Sequence, residues 1–210
     1  MDPVSARKAM VDSQVRPSDV TDVAIHQAML AVPREDFCAP DRAFSAYADV
    51  GVPIAPGRSL MQAREVAKLL QALRPRRGER ALAIAAPYAA ALMAHMGLEV
   101  DAQESDPAVA ARVEPAVIAA GARLTVQSLN QPCGSGWDVI ICEAGVGELP
   151  EAWLAALKPG GRLAFVERDG PVGRAQLVVK AGSGATSRRE LFDATPPMLA
   201  GFEKRPTFAL

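Results

Sequence analysis

The chain has 210 residues, half of them apolar and 22% charged, with a formal net charge of −1 at pH 7. This length suits one domain with a sizeable core, and the composition is that of a globular protein. A net charge near zero and an aromatic content of 5% argue against binding to nucleic acid or to an anionic membrane surface. No apolar run approaches the roughly 20 residues of a membrane span. The N-terminus lacks the apolar segment of a signal peptide.

The cysteine pattern indicates free thiols. Cys38, Cys133 and Cys142 are widely spaced and odd in number. They match neither a disulfide framework nor zinc-ligand spacing, and the two histidines do not complete a zinc site. We therefore expect no bound metal and a reducing, cytoplasmic location. Cys142 ends an apolar run and is expected to be a core residue rather than a nucleophile.

The N-terminal third predicts helices joined by irregular segments. Apolar spacing and capping residues predict helices over 6–15 and from about 18 to 30. The stretch 37–58, rich in Ala, Asp, Gly and Pro, predicts an ordered but irregular segment. A clearly amphipathic helix is predicted over 62–73.

From Arg80 onward, short apolar runs alternate with helical segments. Strands are predicted at 81–85, 98–103, 123–126, 138–142 and 162–166, and helices at 88–96, 107–120 and 148–157. This alternation predicts a mostly parallel sheet covered by helices on both faces. Two last strands, at 175–180 and 187–192, predict an antiparallel C-terminal hairpin. We therefore expect one α/β domain over 1–210, with an N-terminal helical extension (1–75) and a Rossmann-like core (76–210).

An ordered set of segments resembles one enzyme family. The segments are MVDSQVRPSDVTD, AMLAVPREDF, AYADVGVPI, GRSLMQAREVAKLLQAL, LKPGGRLAFV and the tail LFDATPPMLAGFEKRPTFAL. Together they resemble protein-L-isoaspartate O-methyltransferases, and bacterial members most of all, over nearly the whole chain. The resemblance implies a Rossmann-like methyltransferase fold that uses S-adenosylmethionine (SAM) to esterify isoaspartyl carboxylates in damaged proteins. A carboxylate is already nucleophilic, so such an enzyme mainly aligns it with the methyl group.

The cofactor loop departs from the family pattern. The family form, roughly D-x-G-x-G-x-G-Y, corresponds here to the segment RALAIAAPY, residues 80–88. Ala83 stands at the acidic position, Ala85 at a glycine position, and Pro87 where the loop should be most open, before Tyr88. Alanine resists positive φ, and proline fixes φ and lacks an N–H donor. On this argument we expect SAM binding to be lost and no cofactor to be bound.

Other family positions are partly retained. Glu104, about twenty residues after the loop, stands where relatives bind the ribose hydroxyls, although it could equally be a surface carboxylate at a strand end. Ser59 keeps the first hydroxyl of a family segment that resembles G-Q-T-I-S-Q-P. Met61 replaces the second, which is associated with the isoaspartyl carboxylate, and a thioether cannot donate a hydrogen bond. Arg58 could bind an anion or be a surface residue. The candidate cofactor-binding residues are therefore Ser59, Ala85, Tyr88 and Glu104, and no catalytic residue is predicted.

Three hypotheses follow from these residues. The first is a non-catalytic binding or regulatory module, with a protein partner, that descends from an isoaspartyl methyltransferase. The second is an active SAM-dependent protein carboxyl methyltransferase with a divergent cofactor loop. The third is a protein that binds another small ligand in the remodelled cleft, at the carboxyl ends of the strands.

Overall fold

The N-terminal extension is helical, as predicted. The computed structural model describes residues 2–204, so the last six residues of the tail quoted above lie outside the described part. Helix α1 (Pro3–Met10) starts at Asp2, whose carboxylate accepts a hydrogen bond from the Ser5 amide. It continues as a π-helical turn over Val11–Val15 and a 3₁₀ turn over Arg16–Ser18. Helix α2 (Val23–Ala31) begins after the capping carboxylate of Asp22.

The segment predicted to be irregular contains a β-hairpin. After 3₁₀ turns at Arg34–Phe37 and Pro40–Ser45, strands β1 (Val52–Ala55) and β2 (Arg58–Leu60) pair antiparallel. Val52, Ile54 and Leu60 are buried in the core. The hairpin was missed because its strands are very short and contain Pro53, while tertiary packing of alternate residues stabilises them.

The core is a seven-stranded sheet in the order β5-β4-β3-β6-β7-β8-β9. Its strands are β3 (Arg80–Ile84), β4 (Glu99–Glu104), β5 (Arg123–Val126), β6 (Trp137–Val146), β7 (Leu157–Arg168), β8 (Gly173–Lys180) and β9 (Thr186–Ala194). The first five in sheet order pair parallel and the last two antiparallel. The predicted Rossmann-like α/β architecture, mostly parallel with an antiparallel C-terminal hairpin, is confirmed.

Helices cover both faces of this sheet. They are α3 (Ala63–Leu73), α4 (Pro87–His95), α5 (Pro107–Ala119) and α6 (Glu151–Ala156). Along β3, Ala81 and Ala83 join the larger apolar cluster, whereas Leu82 and Ile84 join the cluster on the other face. No helix within residues 2–204 is long and apolar enough to cross a membrane.

The strand register places two carboxylates level with each other on the two strands that flank β3. Ile84 of β3 pairs with Gln103 of β4 on one side and with Cys142 of β6 on the other. The next residues on the three strands are therefore Glu104, Ala85 and Glu143, at the carboxyl edge of the sheet. This is the edge where open parallel sheets bind ligands.

Candidate active site at the carboxyl edge of the sheet

The loop after β3 makes a left-handed turn without glycine. Ala85 has φ 47°, is buried, and donates its amide to the Gln103 carbonyl at 2.9 Å. Pro87 occupies the first turn of α4. Backbone N–H groups in the first turn make no hydrogen bond within the helix, so a proline is tolerated there. The backbone turn that glycine would favour is therefore present, with alanine bearing the conformational cost.

Glu104 is a buried residue and not the surface carboxylate that the sequence left open. Its side chain is 3% exposed, and Arg58 donates from Nε to Oε2 at 2.9 Å and from Nη2 to Oε1 at 2.7 Å. The amides of Ser105 and Asp106 also donate to Oε1, at 2.7 and 3.1 Å. Arg58 is likewise buried. The β1–β2 hairpin thus reaches the end of β4 through this ion pair.

The other two candidate residues lie around the same edge. Tyr88 is fully buried, and the guanidinium of Arg34 lies 4.8 Å from the centre of its ring. Its hydroxyl has no hydrogen-bond partner among the described residues, and burial raises its pKa. Ser59 is half-buried on β2, opposite Pro53 and next to Arg58. The structure therefore brings Ala85, Tyr88 and Glu104 to one edge and places Ser59 on the hairpin beside it.

Sequence reasoning missed Glu143, which extends the site to the far side of β3. It is buried, and its Oε1 accepts a hydrogen bond from the Ala89 amide in the first turn of α4, at 2.6 Å. Burial raises the pKa of Glu143 to about 7, although Arg34 and the amides of Ala89 and Met61 favour its charged form. The available signal was the one that pointed to Glu104, a carboxylate directly after an apolar strand.

The thiols and possible metal ligands add no further chemistry. All three cysteines are free, and burial raises the pKa of Cys142 to about 12, in keeping with the core role expected for it. Within residues 2–204, no three His, Cys, Asp or Glu side chains are grouped so that they could hold a metal ion.

Known proteins resemble this chain over most of its length. Residues 5–193 match the family described as protein-L-isoaspartate(D-aspartate) O-methyltransferase. A protein-L-isoaspartate O-methyltransferase of Methylorubrum extorquens is 35% identical over 95% of this chain and 91% of its own. One of Methylorubrum populi is 34% identical over 94% and 96%.

Two solved structures share the fold at lower identity. A protein-L-isoaspartate O-methyltransferase superposes with a TM-score of 0.78 at 20% identity, over 95% of this chain and 66% of that one. A protein described as a putative protein-L-isoaspartate O-methyltransferase from Plasmodium falciparum, in complex with S-adenosyl-L-homocysteine, gives 0.74 at 18%, over 95% and 98%. Both neighbours show the Rossmann-like methyltransferase fold.

These relatives correct the leading hypothesis drawn from the loop. The expectation that the chain has lost SAM binding and catalysis and serves as a non-catalytic module is wrong, because relatives at about 35% identity over most of the chain are named methyltransferases. The expectation that it binds no cofactor is unsupported for the same reason. The loop argument assumed that glycine is required after β3, yet Ala85 itself adopts φ 47°. The chain belongs to the protein-L-isoaspartate(D-aspartate) O-methyltransferase family.

Proposed function

We propose that this chain is a SAM-dependent protein carboxyl methyltransferase that acts on isoaspartyl carboxylates and has a divergent cofactor loop. The observation that carries the proposal is the 35% identity to a protein-L-isoaspartate O-methyltransferase over 95% of the chain. The position of Glu104 at the carboxyl edge of the sheet adds a structural reason, since ligands of such sheets bind there. The partner is then a protein or peptide substrate.

The residues at this edge fit the cofactor in two respects. The carboxylate of Glu104 has about four lone-pair sites, and among the described residues Oε2 accepts only from Arg58, so it has room for a ribose hydroxyl. The left-handed turn at Ala85 leads the chain from β3 into α4 at the edge where the cofactor would bind. Ser59 and Tyr88 are proposed to line the same cleft.

The guanidinium of Arg58 covers the carboxylate that the cofactor would use. We propose that Arg58 and the β1–β2 hairpin swing away from Glu104 when the cofactor binds. Both side chains are almost entirely enclosed, so a ribose hydroxyl reaches Glu104 only after this displacement. Cofactor binding is therefore coupled to movement of the hairpin.

The reaction requires alignment of the acceptor carboxylate with the methyl group more than it requires proton transfer. The bound cofactor supplies a methyl group on a sulfonium sulfur. The chain's own residues hold the acceptor carboxylate in line with that group and exclude water from the edge. A reducing compartment such as the cytoplasm is proposed from the three free cysteines.

The test combines calorimetry and methyl transfer on the full chain. SAM and S-adenosylhomocysteine are titrated into the protein up to millimolar concentration, and an isoaspartyl peptide is assayed against its aspartyl counterpart. We expect binding and methylation of the isoaspartyl peptide only. E104Q is expected to weaken binding, whereas E99Q, on an exposed residue of the same strand, leaves it unchanged. Absence of heat with both ligands, or no methylation of either peptide, would contradict the proposed function.

A further inference from the structure

Glu143 is a buried carboxylate with one oxygen left unpartnered. Its side chain lies at the edge where β6 passes α4, and only 1% of the residue is exposed. Oε1 accepts the Ala89 amide at 2.6 Å, while Oε2 makes no hydrogen bond within normal geometry to any described residue, although the Met61 amide lies near the carboxylate. A buried carboxylate oxygen without a partner costs free energy, so a polar group is expected to meet it in the working protein.

Two further polar groups near Glu143 are also incompletely satisfied. Arg34 is fully buried and donates to the carbonyls of Ala46 and Met61, but its Nη1 has no partner within residues 2–204. The Tyr88 hydroxyl, next to Ala89 in sequence, is unpartnered as well. Three buried polar side chains that lie near one another therefore have hydrogen-bonding capacity to spare, which a polar ligand group could satisfy.

The position of this region suits the acceptor of the proposed reaction. Gln103 and Cys142 both pair with Ile84 of β3, from opposite sides. Glu104 and Glu143 are the next residues on those two flanking strands. Neighbouring strands lie about 4.8 Å apart, so the two backbone positions are about 10 Å apart across Ala85. With the cofactor ribose at Glu104, Glu143 lies on the opposite side of the loop, where the second reactant must approach.

From this geometry we infer that Glu143, as a neutral carboxylic acid, donates a hydrogen bond to the acceptor carboxylate of the substrate, beside the guanidinium of Arg34. The inference rests on the proposed function and names the residue that holds its substrate. In the reaction, one oxygen of the acceptor forms a bond to the methyl carbon and the carbon–sulfur bond breaks. The electron pair returns to sulfur, and Glu143 keeps its proton throughout.

The protonation state of Glu143 determines whether it attracts or repels an acceptor carboxylate. Burial raises its pKa to about 7, so the donating form is well populated at neutral pH. The titratable and charged groups that face it are the guanidinium of Arg34, the hydroxyl of Tyr88 and the thiol of Cys142, in addition to the amides named above. Only the first is charged near neutrality. Ionised Glu143 would place like charges together and weaken substrate binding.

The experiment measures kcat/KM for an isoaspartyl peptide between pH 6 and 8.5, with calorimetric Kd values for S-adenosylhomocysteine. For the unmodified chain, kcat/KM is expected to fall about tenfold per pH unit above the pKa of Glu143, while the Kd stays constant. E143Q keeps a donating amide that does not ionise, so it should retain activity and lose the alkaline fall. E143A should raise KM about tenfold or more with an unchanged Kd. E148Q, at an exposed glutamate nearby, is the matched control.

The outcomes separate this inference from the proposed function. An E143A enzyme with unchanged KM, or an E143Q enzyme with the original pH profile, overturns the role of Glu143 and leaves the methyltransferase intact. If the unmodified chain neither binds S-adenosylhomocysteine nor methylates the peptide, the proposed function fails and this role fails with it. If E143A does not fold, the comparison of the E143Q and unmodified pH profiles decides.

Discussion

Arg58 and Glu104 form a two-point ion pair whose side chains are only 10% and 3% exposed. The pair joins the β1–β2 hairpin to the end of β4, with N···O distances of 2.9 and 2.7 Å. Such bidentate pairs combine charge with fixed geometry and are among the stronger hydrogen-bonded contacts in proteins. Because Glu104 is also the proposed ribose acceptor, this pair competes with the cofactor for one carboxylate.

The first prediction is that R58Q tightens cofactor binding. Without the guanidinium, binding no longer requires the ion pair to be broken, so the Kd for S-adenosylhomocysteine is expected to fall about tenfold, equivalent to about 1.4 kcal/mol. Calorimetry on the two proteins measures the change. R64Q is the control, because Arg64 pairs with Asp49 at a more exposed position. An R58Q protein with unchanged or weaker affinity would show that Arg58 does not compete with the cofactor.

The second prediction concerns the stability of the same pair. R58M leaves the buried charge of Glu104 without its ion-pair partner and is expected to lower the free energy of unfolding by about 3–5 kcal/mol. The double variant R58M/E104L removes both charges and should recover most of that loss, because a buried pair often contributes no more than apolar residues of similar volume. Urea unfolding measures the three proteins. Equal destabilisation by the single and double variants would contradict this account.

The third prediction uses the left-handed turn at Ala85. An alanine at φ 47° carries a steric cost that glycine avoids, of about 1–2 kcal/mol. Glycine in turn loses about 0.4–1 kcal/mol through its greater freedom in the unfolded chain. A85G is therefore expected to leave stability unchanged or raise it by about 1 kcal/mol. The control A83G, within β3, should destabilise; thermal melts compare the two. Equal destabilisation by both would show that the turn stores no strain.

The fourth prediction is a loss of stability as pH rises through the titration range of two glutamates, one buried and one half-buried. Burial raises the pKa of Glu143 and of Glu65 to about 7, from 4.5. Between about pH 4.5 and 7 the folded chain therefore holds protons that the unfolded chain releases, so the free energy of unfolding falls across this window. E143Q and E65Q should each remove part of the slope in thermal melts, and the double variant more of it. A melting temperature that rises through this window in the unmodified chain but not in E143Q would contradict a raised pKa for Glu143 in the folded chain.

Much of the core fold could be predicted from local patterns. Along β3 and β6, apolar runs of strand length alternate with capped helices such as α5, where Asp106 and Pro107 start the helix. These signals depend on residues that are close in sequence, so they can be recognised without the structure. The β1–β2 hairpin could not be predicted in this way, because three- and four-residue strands containing Pro53 form only when the core packs against them.

The candidate site also has features that the sequence predicts and features that only the tertiary structure shows. Glu104 was predicted from its place after a strand and from the family resemblance, whereas its ion pair with Arg58, 46 residues earlier, depends on the hairpin reaching the sheet edge. Glu143 also follows an apolar run, but its place level with Ala85 and Glu104 depends on the register that sets Cys142 beside Ile84. The loss of function expected from the alanines in the loop is contradicted by the relatives at about 35% identity. The loop argument failed at Ala85, where the folded chain holds an alanine at positive φ.

By itself, the sequence determined the order of strands and helices and the family resemblance, because apolar periodicity, caps and turns act over a few residues. The tertiary structure decided which charged side chains are buried, which of them pair, and which carboxylates share an edge. The reason is physical: burial and pairing depend on atoms brought together from distant parts of the chain, and these set the charge and hydrogen bonding of each group.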